Sequence, residues 1–199
     1  MENPNYIKEK RTVSLARANR LGCLLYFPVV LVYGLPFHLL TEHISSISDY
    51  MDMLKTAVQP APFILVVLAV LFGGIILHEL IHGITWALFA RRGWRSIRFG
   101  VLWKYMTPYC HCRDPLTISQ YIWGAIMPFV ILGLIPGVAS WFTGSVALLA
   151  FGIFFTVSAV GDFMIIGLIR KEPHGSLVLD HPSEAGYYIY NPKDAHARN

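Results

Sequence analysis

The sequence predicts an all-α integral membrane protein with about four transmembrane helices and a β-like cytoplasmic loop between spans two and three. Its composition is 55% hydrophobic and only 14% charged, whereas soluble domains average about 45–50% apolar and about 25% charged residues. The mean hydropathy is +0.51, and the charged residues are bunched between long apolar runs. We therefore expect residues 1–199 to form a single membrane domain.

The first predicted span covers residues 21–40, which contain no Asp, Glu, Lys or Arg. Twenty helical residues rise about 30 Å, which matches the hydrocarbon thickness of a bilayer. Five basic residues precede this stretch and no small-x-small cleavage pattern ends it. We therefore predict a retained span and not a cleaved signal peptide.

The second predicted span covers residues 63–90 and is interrupted only by His78, Glu79 and His82. The polar segment 41–56 before it is expected to be an exposed loop or a surface helix. Segment 91–120 after it is basic, and its apolar residues do not repeat at helical spacing. It is therefore predicted to be a cytoplasmic loop with β character.

The third and fourth predicted spans cover residues 121–142 and 145–169, and the fourth contains a single acid, Asp162. Residues 170–199 are polar, contain three prolines and are too short for a core of their own. They are predicted to be a polar tail packed on the cytoplasmic face.

The basic residues alternate across these spans in the way that sets membrane topology. From the N-terminus, the five segments outside the spans carry five, one, six, none and four Lys or Arg residues. Because cytoplasmic loops are enriched in basic residues, both termini are predicted to be cytoplasmic, and the short loops suggest a prokaryotic plasma membrane. The net charge of +4 is thus explained by basic residues that flank the spans in the lipid bilayer, and no nucleic-acid partner is predicted. No pattern in the sequence indicates an oligomeric state.

The strongest chemical signal is the sequence His78-Glu79-Leu80-Ile81-His82, an H-E-x-x-H pattern. Residues at i and i+4 share a helix face, so both imidazoles can bind one Zn²⁺, and the intervening Glu can act as general base toward water. Placing an acid centrally in a membrane helix costs about 2.5–3.5 kcal/mol. The alternative is that these groups only hydrogen-bond neighbouring helices.

A catalytic zinc needs three protein ligands and an open position. Asp162 is the only other Asp, Glu or His in a span after the first. His82 lies nine residues before Arg91 and Asp162 lies eight before Arg170, so both are expected at the same depth. The predicted ligand set is His78, His82 and Asp162; the alternative for Asp162 is an ion pair with Arg or Lys.

Cys110, His111 and Cys112 form a competing ligand set, because thiolates and imidazoles also bind zinc. Three consecutive residues are too tightly spaced for one tetrahedral site, so they are predicted to be loop residues near the mouth of the site. With Cys23 they make three cysteines, which predicts no disulfide framework.

Four stretches together resemble a known family: HELIHGITW, PYCHCRDPLTISQYIWGAIMPFVILGLIP, SAVGDFMIIGLI and LDHPSEAGYYI. The chain resembles the zincin peptidases, distant relatives of the site-2 proteases, over about residues 63–190. The resemblance implies an intramembrane zinc peptidase whose third ligand is a late transmembrane Asp, here Asp162. The Asn-Pro pair of the site-2 proteases is missing, so Ser158 is the candidate for oxyanion stabilisation, and loop 95–112 is implied to offer an edge strand to substrate.

The sequence therefore predicts a zinc metalloprotease that cleaves a membrane-embedded or membrane-adjacent protein or peptide, with Glu79 as catalytic base. Glu79→Gln is expected to keep the metal and lose turnover. The alternative function is a non-enzymatic metal-binding membrane protein, either a carrier, a sensor or a scaffold.

Overall fold

A computed structural model describes residues 5–41, 60–103, 107–181 and 184–193. Most of the described residues are helical. The helices are α1 (Leu15–Thr41), α2 (Pro60–Phe89), α3 (Ile118–Pro128), α4 (Ile135–Thr143), α5 (Val146–Ser158) and α6 (Val160–Ile169), with a π-helix (Phe129–Leu134) joining α3 to α4.

Three helical stretches among the described residues are long and apolar enough to cross a membrane: α1, α2 and the run Ile118–Thr143. A fourth would be the pair α5 and α6, which is bent by 41°. The predicted spans 21–40, 63–90 and 121–142 largely coincide with the first three, and the bend divides the predicted span 145–169. Of the predicted loop 41–56, only Thr41 lies inside the described residues.

The outer surfaces of these helices are apolar and exposed. Phe27 of α1 is 73% exposed, Leu88 of α2 is 78% exposed and Phe142 of α4 is 75% exposed. Side chains of this kind are typical of helices in contact with lipid.

Local signals set the helix ends around the third and fourth stretches. The Thr117 hydroxyl accepts the N–H of Gln120, and the Gln120 side chain accepts the N–H of Thr117, so a capping box begins α3. Gly144 ends α4 in the left-handed region at φ 66°, where glycine is favoured. Ser145 then caps α5 by accepting the N–H of Leu148 at 3.3 Å.

The predicted all-α class is wrong, because the chain also forms two antiparallel sheets. One is a hairpin of β2 (Ile97–Leu102) and β3 (Thr107–Cys112). The other has four strands in the order β1-β6-β5-β4 and joins the two ends of the chain. Its strands are β1 (Tyr6–Thr12), β4 (Leu116–Thr117), β5 (Leu177–Asp180) and β6 (Gly186–Pro192).

The missed strands have weak local signals. Four of the seven residues of β1 are charged, as is common on an edge strand, and the three basic ones are also what a basic flank of the first span would contain. Strands β5 and β6 lie within the predicted polar tail 170–199. Strand β6 also pairs with the distant strand β1, since Glu9 of β1 lies opposite Ile189 of β6.

The four-stranded sheet shares a core with the helices and the hairpin. This core contains Trp86 of α2, Tyr121 of α3, Cys112 of β3 and Val178 of β5, each at most 4% exposed. A second core within the helices brings together Ile81, Leu132 and Phe155. The first core also includes Ile169 of α6, so the C-terminal strands pack onto the ends of α2 and α6, the two helices that carry the predicted site.

Candidate metal centre

The two histidines of the H-E-x-x-H pattern lie on one face of α2. His78 is 8% exposed and His82 is 4% exposed. Their ring centroids are 4.9 Å apart with an interplanar angle of 78°, and their Nε2 atoms are 3.2 Å apart. The i, i+4 spacing thus directs both nitrogens to one point.

Asp162 reaches the same point from the first turn of α6. Its Oδ2 lies 3.2 Å from His78 Nε2 and its Oδ1 lies 3.4 Å from His82 Nε2. The bend between α5 and α6 precedes it at Ala159. His82 lies seven residues before the end of α2 at Phe89, and Asp162 lies seven before the end of α6 at Ile169, so the two groups share a depth.

Close packing between α2 and α5 supports this meeting. A Cβ at Gly74 of α2 would lie 2.7 Å from Cε2 of Phe155, so only glycine allows that ring to sit against the helix. Phe155 is fully buried, and its ring stacks 6.5 Å from His78. The aromatic side chain therefore supports the face of α2 that holds the ligand atoms.

The three side chains fit a zinc ion. Atoms that each lie about 2.0–2.1 Å from a tetrahedral zinc are about 3.3–3.4 Å apart. The two Nε2 atoms are 3.2 Å apart, and each imidazole has a different oxygen of Asp162 nearby, Oδ2 at 3.2 Å from His78 and Oδ1 at 3.4 Å from His82. Two imidazoles and one carboxylate are a known ligand set for catalytic zinc. In the described part of the chain, this is the one group of three or more His, Cys, Asp or Glu side chains close enough to hold a metal.

His82 is oriented by contacts on its far side. Its Nδ1 lies 2.8 Å from the carbonyl oxygen of Gly124, so a proton on Nδ1 donates there and leaves Nε2 free for a metal. The ring also stacks on Trp86, with centroids 5.1 Å apart and an angle of 12°.

Glu79 borders the same cavity, which has a volume of about 230 Å³. Cys110 of β3 lines the cavity beside it. The cavity is bounded by the ligands, by β3 and by residues of the C-terminal sheet, including Asp180 and His181. It therefore offers a polar chamber next to the ligand atoms.

One position on the outer edge of β3 is already occupied by an acid. Cys112 donates its N–H to Asp180 at 2.7 Å, and Pro108 has no N–H. The edge strand implied by the resemblance is thus present, but neither of these two positions offers a substrate strand a free N–H.

The Cys-His-Cys run divides between two environments. Cys110 and His111 line the cavity, as predicted for residues near its mouth. Cys112 is 1% exposed, and its Sγ donates to the carbonyl oxygen of Asp114. Burial raises the pKa of the Cys110 thiol and raises the pKa of Cys112 to about 12, so both thiols are protonated at neutral pH and are poor metal ligands.

Ser158 borders the cavity from the end of α5, and its hydroxyl donates to the carbonyl oxygen of Phe154 at 2.8 Å. It and Gly161 also border a second, apolar groove of about 870 Å³ between α1 and α5. The groove therefore runs up to the metal-binding residues.

Sequence reasoning missed the residues that support the site: Trp86, Tyr121, Gly124, Asp180 and His181. Trp86 had a usable signal, because it lies four residues after His82 and so shares its helix face. His181 was expected only as part of the polar tail, whereas its side chain is 6% exposed.

The pattern of the family described as "Putative zincin peptidase" matches residues 71–177, just over half of the chain. The chain belongs to this zincin peptidase family. Residues His78, Glu79, His82 and Asp162 all fall inside the matched range, and the family's description indicates a zinc metallopeptidase.

One relative is a 24.7 kDa protein of Pyrococcus woesei, encoded in a gap 5' region and described as uncharacterized. It is 30% identical over 138 residues, which are 68% of this chain and 55% of the relative. The chain thus spans about half the length of that protein. No solved structure matches the chain.

Proposed function

We propose that this zincin peptidase family member is an intramembrane, site-2-protease-like zinc metallopeptidase that hydrolyses peptide bonds in membrane-embedded or membrane-adjacent substrates. The observation that carries the proposal is the convergence of His78, His82 and Asp162, whose ligand atoms all lie within 4.8 Å of one another. Glu79 borders the same cavity.

The proposed chemistry assigns each side chain one role. His78, His82 and Asp162 hold the metal, which when bound supplies a Lewis acid that polarises a carbonyl and acidifies water. Glu79 accepts the proton of the attacking water and later delivers it to the nitrogen of the leaving amine. Cys110 of β3 lines the cavity beside this carboxylate.

The basic loop and both chain ends are proposed to be cytoplasmic, as the distribution of Lys and Arg indicates. Water would then enter from the side of β3 and the four-stranded sheet. The polar lining contributed by His111 and His181 supports this route, because water in a channel needs hydrogen-bonding partners.

The apolar groove supports a membrane-embedded substrate. It opens between α1 and α5 and reaches Ser158 and Gly161, one residue before Asp162. Small side chains such as Ala18, Gly22 and Ala150 line it, and small residues allow close helix approach in lipid. We propose that a transmembrane segment of substrate lies in this groove and unwinds at its cavity end.

The proposed relation to site-2 proteases rests on Gly161-Asp162 in α6, because the acid ligand follows a glycine in a helix near the end of the chain's apolar part. The missing Asn-Pro pair leaves oxyanion stabilisation to other groups. The Ser158 hydroxyl would have to leave the Phe154 carbonyl to serve, since its proton is engaged there.

Cleavage of a fluorescently labelled library of single-span peptides in proteoliposomes tests the proposal. Wild type should cleave, and Glu79→Gln should cleave about 100-fold more slowly or less, as expected for loss of a general base, while keeping its zinc. Glu172→Gln is the matched control, because Glu172 accepts from Arg11 at 3.1 Å and does not border the cavity.

Cleavage by Glu79→Gln at the wild-type rate would contradict the proposed role. Zinc flux into vesicles that depends on His78, with no cleavage, would instead favour the carrier function.

A further inference from the structure

The carboxylate of Asp180 connects the four-stranded sheet to the elements that surround the metal-binding residues. Asp180 ends β5 and is 7% exposed. Its two oxygens accept from two different elements: Oδ1 from the Tyr121 hydroxyl of α3, and Oδ2 from the Cys112 N–H of β3 at 2.7 Å. A single side chain thus links the sheet, the helix and the hairpin.

Two series of contacts, or branches, lead from Asp180 toward the site, and the first reaches His82. Tyr121 is 3% exposed and packs its ring 5.0 Å from that of Trp86, while its carbonyl oxygen accepts the Trp86 Nε1–H at 3.1 Å. Trp86 in turn stacks on the imidazole of His82. Because all of these side chains are buried, a shift of Tyr121 must be transmitted to the ligand ring.

The backbone of α3 also contacts His82 directly. Gly124 follows Tyr121 by three residues and accepts from His82 Nδ1. A Cβ at Gly124 would overlap the indole of Trp86, so helix, indole and imidazole are in close contact. The position of α3, which Asp180 holds through Tyr121, therefore also sets the hydrogen bond that selects the His82 tautomer.

The second branch leads from Asp180 to Glu79. Cys112 donates to Asp180, and two residues earlier on the same strand Cys110 lines the cavity beside Glu79. Asp180 therefore holds β3 in place against α2, and with it the wall of the cavity next to the proposed general base.

We propose that Asp180 is a positioning residue that acts on the metal ligand His82 through Tyr121 and Trp86, and on Glu79 through β3. The C-terminal strands are then part of the catalytic unit, although β5 continues past the family match, which ends at Leu177. This inference rests on the proposed function.

The test measures zinc affinity, by competition with a chromogenic chelator, and the visible spectrum of the cobalt-substituted protein. Tyr121→Phe removes only the hydroxyl that reaches Asp180, and Asp180→Ala breaks both branches. Loss of a group that orients a ligand typically costs about 10–100-fold in metal affinity or activity. We expect zinc affinity to fall about 10-fold in both variants and the cobalt bands to shift.

Two controls separate positioning from general loss of stability. Tyr33→Phe removes an equally buried hydroxyl, which bonds Thr156 at 3.2 Å. Asp114→Ala removes an acid that is also 7% exposed and bonds Arg92 and Ser96. Both should unfold more easily than wild type yet keep zinc affinity within 2-fold and the cobalt spectrum unchanged.

Peptide cleavage distinguishes the two branches. Because Asp180→Ala also releases β3 from its bond at Cys112, next to Glu79, its turnover should fall further than that of Tyr121→Phe. If Tyr121→Phe matches Tyr33→Phe in zinc affinity and cobalt spectrum, the positioning role is overturned while the proposed function stands. If wild type binds no zinc, the proposed function itself fails.

Discussion

Replacing Gly124 with alanine tests the contact on which the orientation of His82 depends. A Cβ there would overlap Nε1 and Cδ1 of Trp86 and lie 2.6 Å from its Cε2. Trp86 is 4% exposed, so the indole cannot move into solvent and must shift within the core. Forcing extra volume into a packed core costs about 1–3 kcal/mol.

Two smaller effects modify that figure. Displacing the indole breaks its hydrogen bond to Tyr121, worth about 1 kcal/mol. Alanine regains about 1 kcal/mol of helix propensity over glycine. The expected net loss for Gly124→Ala is therefore about 1–3 kcal/mol, accompanied by weaker zinc binding because the stack on His82 is disturbed.

Reversible unfolding in mixed micelles of increasing SDS content measures the loss, and chelator competition measures zinc affinity. Gly167→Ala of α6 is the matched control, since no atom lies within 4 Å of its added Cβ. It should unfold at the wild-type midpoint or slightly later. Equal behaviour of the two alanine variants in both assays would refute the close contact between α3, Trp86 and His82.

Three further predictions concern other parts of the molecule. Burial raises the pKa of Asp180 from 3.8 to about 6. Metal-free wild type should therefore lose up to about 3 kcal/mol of stability, relative to Asp180→Asn, as the pH rises from about 4 to about 6. Parallel pH profiles of the free energy of unfolding for the two proteins would contradict this. Ala150→Phe should fill the apolar groove and slow cleavage of a single-span peptide about 10-fold without affecting a short soluble peptide, whereas Leu31→Phe, at an exposed position of α1 outside the groove, should affect neither. Ser145→Ala removes the cap on Leu148 and should cost about 1 kcal/mol in the SDS titration; an unchanged midpoint would argue against the cap.

The residues of the candidate site could be predicted because their signal is local or compositional. His78, Glu79 and His82 follow one helix period. Asp162 was singled out because spans two to four contain no other acid or histidine beyond these three. Matching distances from the basic ends of two helices then indicated a common depth, and the structure brings Asp162 within 3.2–3.4 Å of both imidazoles.

The sheet and the supporting residues could not be predicted in the same way. Strands β1 and β6 pair residues about 180 positions apart, such as Glu9 and Ile189, and no local pattern encodes such a partner. Asp180 is one acid in a polar segment, and only the folded chain places it beside Tyr121. The bend at Ala159 could not be predicted either, because no proline lies at it.

The measurement that tests the central claim most directly is the zinc content of detergent-purified protein, determined by elemental analysis for wild type, His78→Ala, Asp162→Ala and Glu79→Gln. The proposed function predicts about one zinc per chain in wild type and in Glu79→Gln, and its loss in the two ligand variants. No zinc in wild type, or zinc that is indifferent to Asp162→Ala, would contradict the assignment of these residues as the metal centre.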